Sequence, residues 1–151
     1  MSEAPPASAA SKARLRLWLR LLRAQRAVEA RVRERLRAGH ETTLPRFDVM
    51  AALDREREGM RMSALSGELR VSNGNVTGIV DRLVAEDMVE RVAVEGDRRA
   101  MIVRLTDKGA AAFDDMAKAH EAWIDELLDG VSAEEAEHIS ARLAKVAERI
   151  E

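Results

Sequence analysis

Arg70-Val71-Ser72-Asn73-Gly74-Asn75-Val76-Thr77-Gly78-Ile79-Val80-Asp81-Arg82-Leu83 is the stretch that decides how this chain is read. Val76, Ile79, Val80 and Leu83 recur at helical spacing and form one apolar stripe. Opposite them lie Asn73, Gly74, Asn75, Thr77 and Gly78, all small or hydrogen-bonding, and Ser72 stands where it can cap the first turn. Further on, Gly96-Asp97-Arg98-Arg99-Ala100-Met101-Ile102-Val103-Arg104-Leu105-Thr106 reads as an arginine-bearing hairpin tip that runs into an alternating strand. A helix sized for a DNA major groove beside a basic finger sized for the minor groove is the pattern of a winged helix-turn-helix.

The flanking sequence extends that pattern in both directions. Residues 1–11 are rich in Ala, Ser and Pro and read as a mobile tail. A long first helix should follow, with Leu15, Trp18, Leu19 and Leu22 on one face, Lys12, Arg16, Arg20 and Arg23 beside them, and a left-handed cap near Gly39. Pro45 suits the first turn of a second helix that carries Phe47, Met50 and Ala51 inward. Glu58-Gly59 breaks it, Met60-Arg61-Met62 is expected as a short strand pairing with the wing, and Ser63 as the cap of a third helix with Leu65 and Leu69 inside.

Val89 to Val94 and Met101 to Leu105 alternate as strands around a tip at Glu95-Gly96-Asp97-Arg98. Thr106 caps a helix with a stripe at Phe113, Met116, Ala117, His120, Ile124 and Leu127. Ser132 with Glu135 forms a capping box for a last helix striped by Ile139, Leu143, Val146 and Ile150. The expected class is mainly α with a small β-wing. Residues 12–151 make a single domain, with the reader at 44–106 and platform helices at 12–40 and 107–151. The terminal stripes exceed what a compact reader can cover, so the economical solution is a platform shared by two chains.

Composition narrows the function classes. A length of 151 residues fits one domain, and no apolar run approaches the roughly 18 residues that span a bilayer. The start lacks a signal-peptide layout, so no membrane association and a cytoplasmic location are expected. With no cysteine, thiol-based sensing and cysteine-ligated zinc are excluded. His40, His120 and His138 lack metal-ligand spacing, and neither a catalytic constellation nor a cofactor motif is present, so no enzyme and no cofactor are expected. The net charge of −2 hides an asymmetry: residues 12–37 hold ten Lys/Arg against two acids, whereas residues 106–151 hold five against twelve. Distribution rather than total governs nucleic-acid binding, although the two ends can equally attract each other across a helical interface.

The run Asp97-x-Arg99-Ala100-x-x-Val103-x-Leu105-Thr106-x-x-Gly109 resembles the wing signature of the MarR family of bacterial transcriptional regulators. The preceding segment, from Leu65 through Val76-Thr77 and Asp81-Arg82-Leu83 to Val89-Glu90-Arg91, is similar to that family's helix-turn-helix, and the likeness extends over roughly residues 12–150. Two positions depart from it. Asp87 stands where the family usually has Gly, and Arg70 where it usually has a small or polar residue.

The resemblance implies a homodimer on double-stranded DNA and a small-molecule effector held between platform and reader, often an aromatic acid or a related compound. It also makes Arg99 the minor-groove arginine and Asp97 its anchor; a turn bridge between the two without a DNA role stays open. From the residues themselves, Asn75 suits adenine and the Thr77 methyl a thymine methyl. Gly74 and Gly78 let the backbone approach DNA closely, or Gly74 relieves a strained first turn. Arg82 sits two turns in and should reach a phosphate; Arg98 and Arg104 read as phosphate contacts or solvated charges. Candidate effector-lining residues are Trp18, Leu22, His40, Phe47, Met50 and Met62, each also a plausible core residue. The stripe Arg16, Arg20 and Arg23 would suit the phosphates of an acyl-coenzyme A thioester, or is simply solvated. A winged helix used only for protein interaction, and an architectural DNA binder without sequence preference, are the alternative functions.

Overall fold

Val76, Val80 and Leu83, the stripe of the deciding segment, sit at the centre of the molecule with no exposed surface. They lie on α4 (Asn73–Ala85) of a computed structural model that describes residues 4–69 and 73–151. Ser72 and Arg70 therefore lie outside the described residues, as do the side chains of Asn73, Arg98 and Arg99. Around α4 the chain runs α1 (Ala9–His40), α2 (Leu44–Arg55), β1 (Met60–Arg61), α3 (Met62–Leu69), β2 (Val89–Val94), β3 (Asp97–Leu105), α5 (Asp107–Leu127) and α6 (Ala133–Ile150). Val49, Met50, Ala52 and Leu53 of α2, Leu65 of α3, Val89 and Val103 of the sheet, and Phe113 and Met116 of α5 share one core with α4. The sheet is antiparallel in the order β1-β3-β2, with Met60 opposite Val103 and Val89 opposite Leu105.

Local chemistry explains most boundaries. Thr43 caps α2 by accepting from the Arg46 N–H, and Pro45 occupies the first turn, where its missing donor costs nothing. Ser132 and Glu135 cap α6 reciprocally, at 3.1 and 3.2 Å. Thr106 caps α5 through the Gly109 N–H at 2.9 Å. Its hydroxyl also donates to the Asp87 carbonyl at 2.6 Å, and its own N–H reaches the Met88 carbonyl at 3.0 Å. These bonds lock the base of the wing to the turn after α4. An added Cβ on Gly109 would lie 1.8 Å from the Met88 carbonyl oxygen, so the Thr-x-x-Gly ending of the wing signature is set by a close backbone approach. Asp87 adopts φ 61, the left-handed region that favours glycine, which accounts for the usual residue there.

Several boundaries differ from the sequence reading. Helix α1 begins at Ala9, not residue 12, because Ser8 and Ser11 form a reciprocal capping box and the intervening alanines favour helix. It also runs through Gly39 to a left-handed cap at Glu41, φ 50, because the fully buried Leu36 and the ring contact between His40 and Trp123 hold the last turns in place. Helix α3 follows β1 without a loop, so Met62 opens a helix instead of ending a strand and Ser63 lies inside its first turn. The wing turns on Glu95-Gly96 alone, with Gly96 at φ 83. Ala93 pairs with Met101 but Val94 with Asp97, so residues 98–100 are surplus to the ladder and bulge at the tip. Arg104 is neither solvated nor available to phosphate: it bonds its cross-strand neighbour Glu90 at 2.7 Å.

The terminal helices behave differently from the centre. No residue of α6 is buried, and Ile139, Leu143, Val146 and Ile150 face outward with Leu15, Leu17, Trp18 and Leu19 of α1, all at least 40% exposed. Among the described residues no helix is long and apolar enough to cross a membrane.

Candidate nucleic-acid interface

Helix α4 divides sharply into two faces. Gly74, Asn75, Thr77, Gly78 and Arg82 are exposed, whereas Val76, Val80 and Leu83 on the other side are wholly covered. A Cβ added to Gly74 or Gly78 would meet nothing within 4 Å, and neither has a left-handed backbone. The first turn is therefore not strained at Gly74, and that explanation of the residue falls. Each glycine costs about 1 kcal/mol of helix stability relative to alanine. Nothing inside the fold calls for them, so the reason for a bare backbone lies outside it.

Ion pairs hold this face in position. Asp81 of α4 pairs with Arg91 of β2 and ties the helix to the wing. Arg46 of α2 pairs with Glu86 just after α4. Burial, reinforced by the nearby Arg82, pulls the Arg46 guanidinium below its usual range, and its Nε has no partner among the described residues. Arg82 has no carboxylate partner among the described residues and stays exposed, as a phosphate-binding cation requires. Asp97 is exposed at the first position of β3, beside Gly96.

The effector-lining candidates do not come together. His40 and Met50 do share a cavity of about 560 Å³, at the junction of α1, α2, α4 and α5. Arg46, Glu86, Lys108 and Asp115 also line it. These four were missed because they come from separate elements and share no sequence pattern. Trp18 is 56% exposed and lies on the same helix as His40, 22 residues earlier, which is roughly 33 Å at 1.5 Å per residue. Leu22 is half-buried well away from the cavity, and Arg16, Arg20 and Arg23 are exposed beyond it. Phe47 is core, packed between Phe113 at 5.4 Å and His120 at 4.9 Å, and Met62 packs against the same core. One pocket holding all six candidates does not exist within a single chain.

An exposed polar helix set over a buried stripe, pinned to an antiparallel wing, defines a winged helix-turn-helix DNA-binding protein. Residues 42–101 match the profile of the MarR family. A MarR family transcriptional regulator from Silicibacter pomeroyi has the same fold at a TM-score of 0.79 and is 34% identical, with 96% of this chain and 100% of that one covered. The HTH-type transcriptional regulator PecS of Dickeya dadantii is 31% identical over 102 residues, 66% of this chain and 61%, under two thirds, of its own length. MarR from E. coli, in a crystal structure with operator DNA, shares the fold at a TM-score of 0.75 and 23% identity, covering 93% of this chain and 99% of that one. The chain belongs to the MarR family of transcriptional regulators.

Proposed function

We propose that the chain acts as a homodimeric, sequence-specific repressor that reads a pseudo-palindromic operator and leaves it when a small effector binds. The observation that carries this reading is the exposed, cavity-free face of α4, where Gly74 and Gly78 keep the backbone bare beside Asn75 and Thr77. Asn75 then reads an adenine edge and Thr77 a thymine methyl, with Ser72 and Asn73 at the start of the helix. Arg82 holds a phosphate, and Arg99, anchored by Asp97 and flanked by Arg98, enters the minor groove where A·T tracts make it strongly negative.

Dimerisation is supported by the apolar faces of α1 and α6, which one chain leaves in water. Their charges are complementary as well, with arginines along α1 and acids along α6. A two-fold platform of residues 12–40 and 107–151 would set two reading helices about one helical turn, or about 34 Å, apart.

For the effector, the cavity at His40 and Met50 favours a small aromatic acid. Arg20 precedes His40 by 20 residues, roughly 30 Å along one helix, so a single chain does not offer one acyl-coenzyme A both its phosphate stripe and that cavity. A thioester would need the stripe of a second copy. Selection of bound sites from random duplexes, repeated with free acids and their thioesters, tests the whole reading. Enrichment of a palindrome that an acid abolishes is the expected result. Binding without sequence preference would make the protein architectural, and no duplex binding at all would make it a protein-interaction module.

A further inference from the structure

Beside the exposed face of α4 lies a cleft of about 790 Å³, bounded by the C-terminal half of α1 and the start of α2. Four guanidiniums line it: Arg33 and Arg37 from α1, Arg46 from α2 and Arg82 from α4. Gly74, Asn75 and Gly78 form its α4 wall, so the cleft is continuous with the surface that would enter the groove. Glu29 and Asp48 also line it, leaving a net charge of +2 among its own side chains. Two of the four cations are already engaged, Arg33 by Glu29 at 2.6 Å and Arg46 by Glu86. Arg37 and Arg82 have no carboxylate partner among the described residues and face the cleft from different helices.

A major groove about 12 Å wide is bordered on both sides by phosphodiester strands, so whatever flanks a reading helix meets a backbone. We propose that this cleft seats the phosphodiester strand along one edge of the groove read by α4, with Arg37 and Arg82 as its cations and Arg33 restrained by Glu29. The inference rests on the DNA-reading assignment and adds α1 to the contact surface. A cation in the last turn of α1 also suits the helix dipole. That role requires neither a cleft nor a second guanidinium across it.

The test measures binding of the full chain to two duplexes of roughly two helical turns, about 20 base pairs. One is drawn from a selected pool and the other is scrambled, and salt is varied between about 50 and 200 mM. A phosphate contact carries no sequence information, so Arg37→Ala should weaken both duplexes equally. The loss should be about five- to tenfold at about 0.1 M salt, with the slope of log affinity against log salt falling by about 0.9 for each protomer engaged. Glu29→Gln removes an acid and releases Arg33, so it should strengthen both and steepen the slope. Neither variant should alter thermal unfolding enough to account for the change.

If wild type binds and Arg37→Ala matches it in affinity and slope, the cleft is no backbone seat, while the α4 reading stands. A change in the ratio of selected to scrambled binding would equally overturn the proposal, since it would mean base readout. Saturable binding of inorganic phosphate without DNA, lost in Arg37→Ala while the duplex slope persists, would make the cleft a small-anion site instead. If wild type binds no duplex, the DNA-reading assignment fails and the cleft inference falls with it.

Discussion

Gly78→Ala should make the protein more stable and a worse DNA binder. Gly78 is the sixth residue of α4, well inside the helix, with an ordinary backbone and no atom within 4 Å of where a Cβ would stand. Alanine therefore adds helix propensity without a clash, worth about 0.8–1 kcal/mol. For a chain of this size that raises the unfolding midpoint by about 2–4 °C. The same methyl faces whatever α4 approaches and would hold the backbone off a base edge. A displaced contact of this kind costs about 1–3 kcal/mol, or roughly 5- to 150-fold in affinity for the selected duplex. Circular dichroism melts and anisotropy titration on one preparation measure both quantities. A lower midpoint, or wild-type affinity in a stabilised variant, would refute the claim that this glycine exists for an external partner.

Other substitutions test separate parts of the account. Gly109→Ala places a Cβ 1.8 Å from the Met88 carbonyl and must displace the first turn of α5, so urea unfolding should show a loss of at least about 3 kcal/mol. Val146→Glu, at a position 54% exposed in one chain, should leave the melt of the isolated fold little changed but shift sedimentation from dimer to monomer mass. Burial first, and then repulsion from Glu29, raise the Asp48 carboxyl above its usual range. A raised acid binds its proton more tightly in the folded state, so this destabilising effect sets in as pH rises from the ordinary carboxylate range through the raised value. Asp48→Asn should therefore raise stability at neutral pH and remove that part of the pH dependence, read from urea midpoints across a pH series.

What was legible in the sequence was local. The Val76–Val80–Leu83 stripe, the Thr106 cap and the Ser132–Glu135 box each depend on residues within a turn or two of one another, and each is found where the spacing placed it. Helix α1 was misjudged at both ends for different reasons. Ser8 and Ser11 cap it reciprocally inside a stretch that reads as tail, and tertiary contacts at Leu36 and His40 carry it past Gly39. The surplus of residues 98–100 at the wing tip depends on strand register, which alternation alone does not reveal. The arginine-lined cleft and the His40–Met50 cavity draw on three or four elements each, so no linear pattern announces them. The separation of Trp18 from His40 was available from helix rise once a single α1 was accepted.

The most direct test of the central claim is the ratio of affinities for a selected duplex and a scrambled one at the same salt, measured for wild type, Asn75→Ala and Arg99→Ala. A reader that uses α4 and the wing should prefer the selected duplex by about 10³-fold or more. Asn75→Ala should lower that ratio by relaxing one position, and Arg99→Ala should weaken binding most where the flanks are A·T-rich. A wild-type ratio near one, or a high ratio that neither substitution changes, would contradict the account.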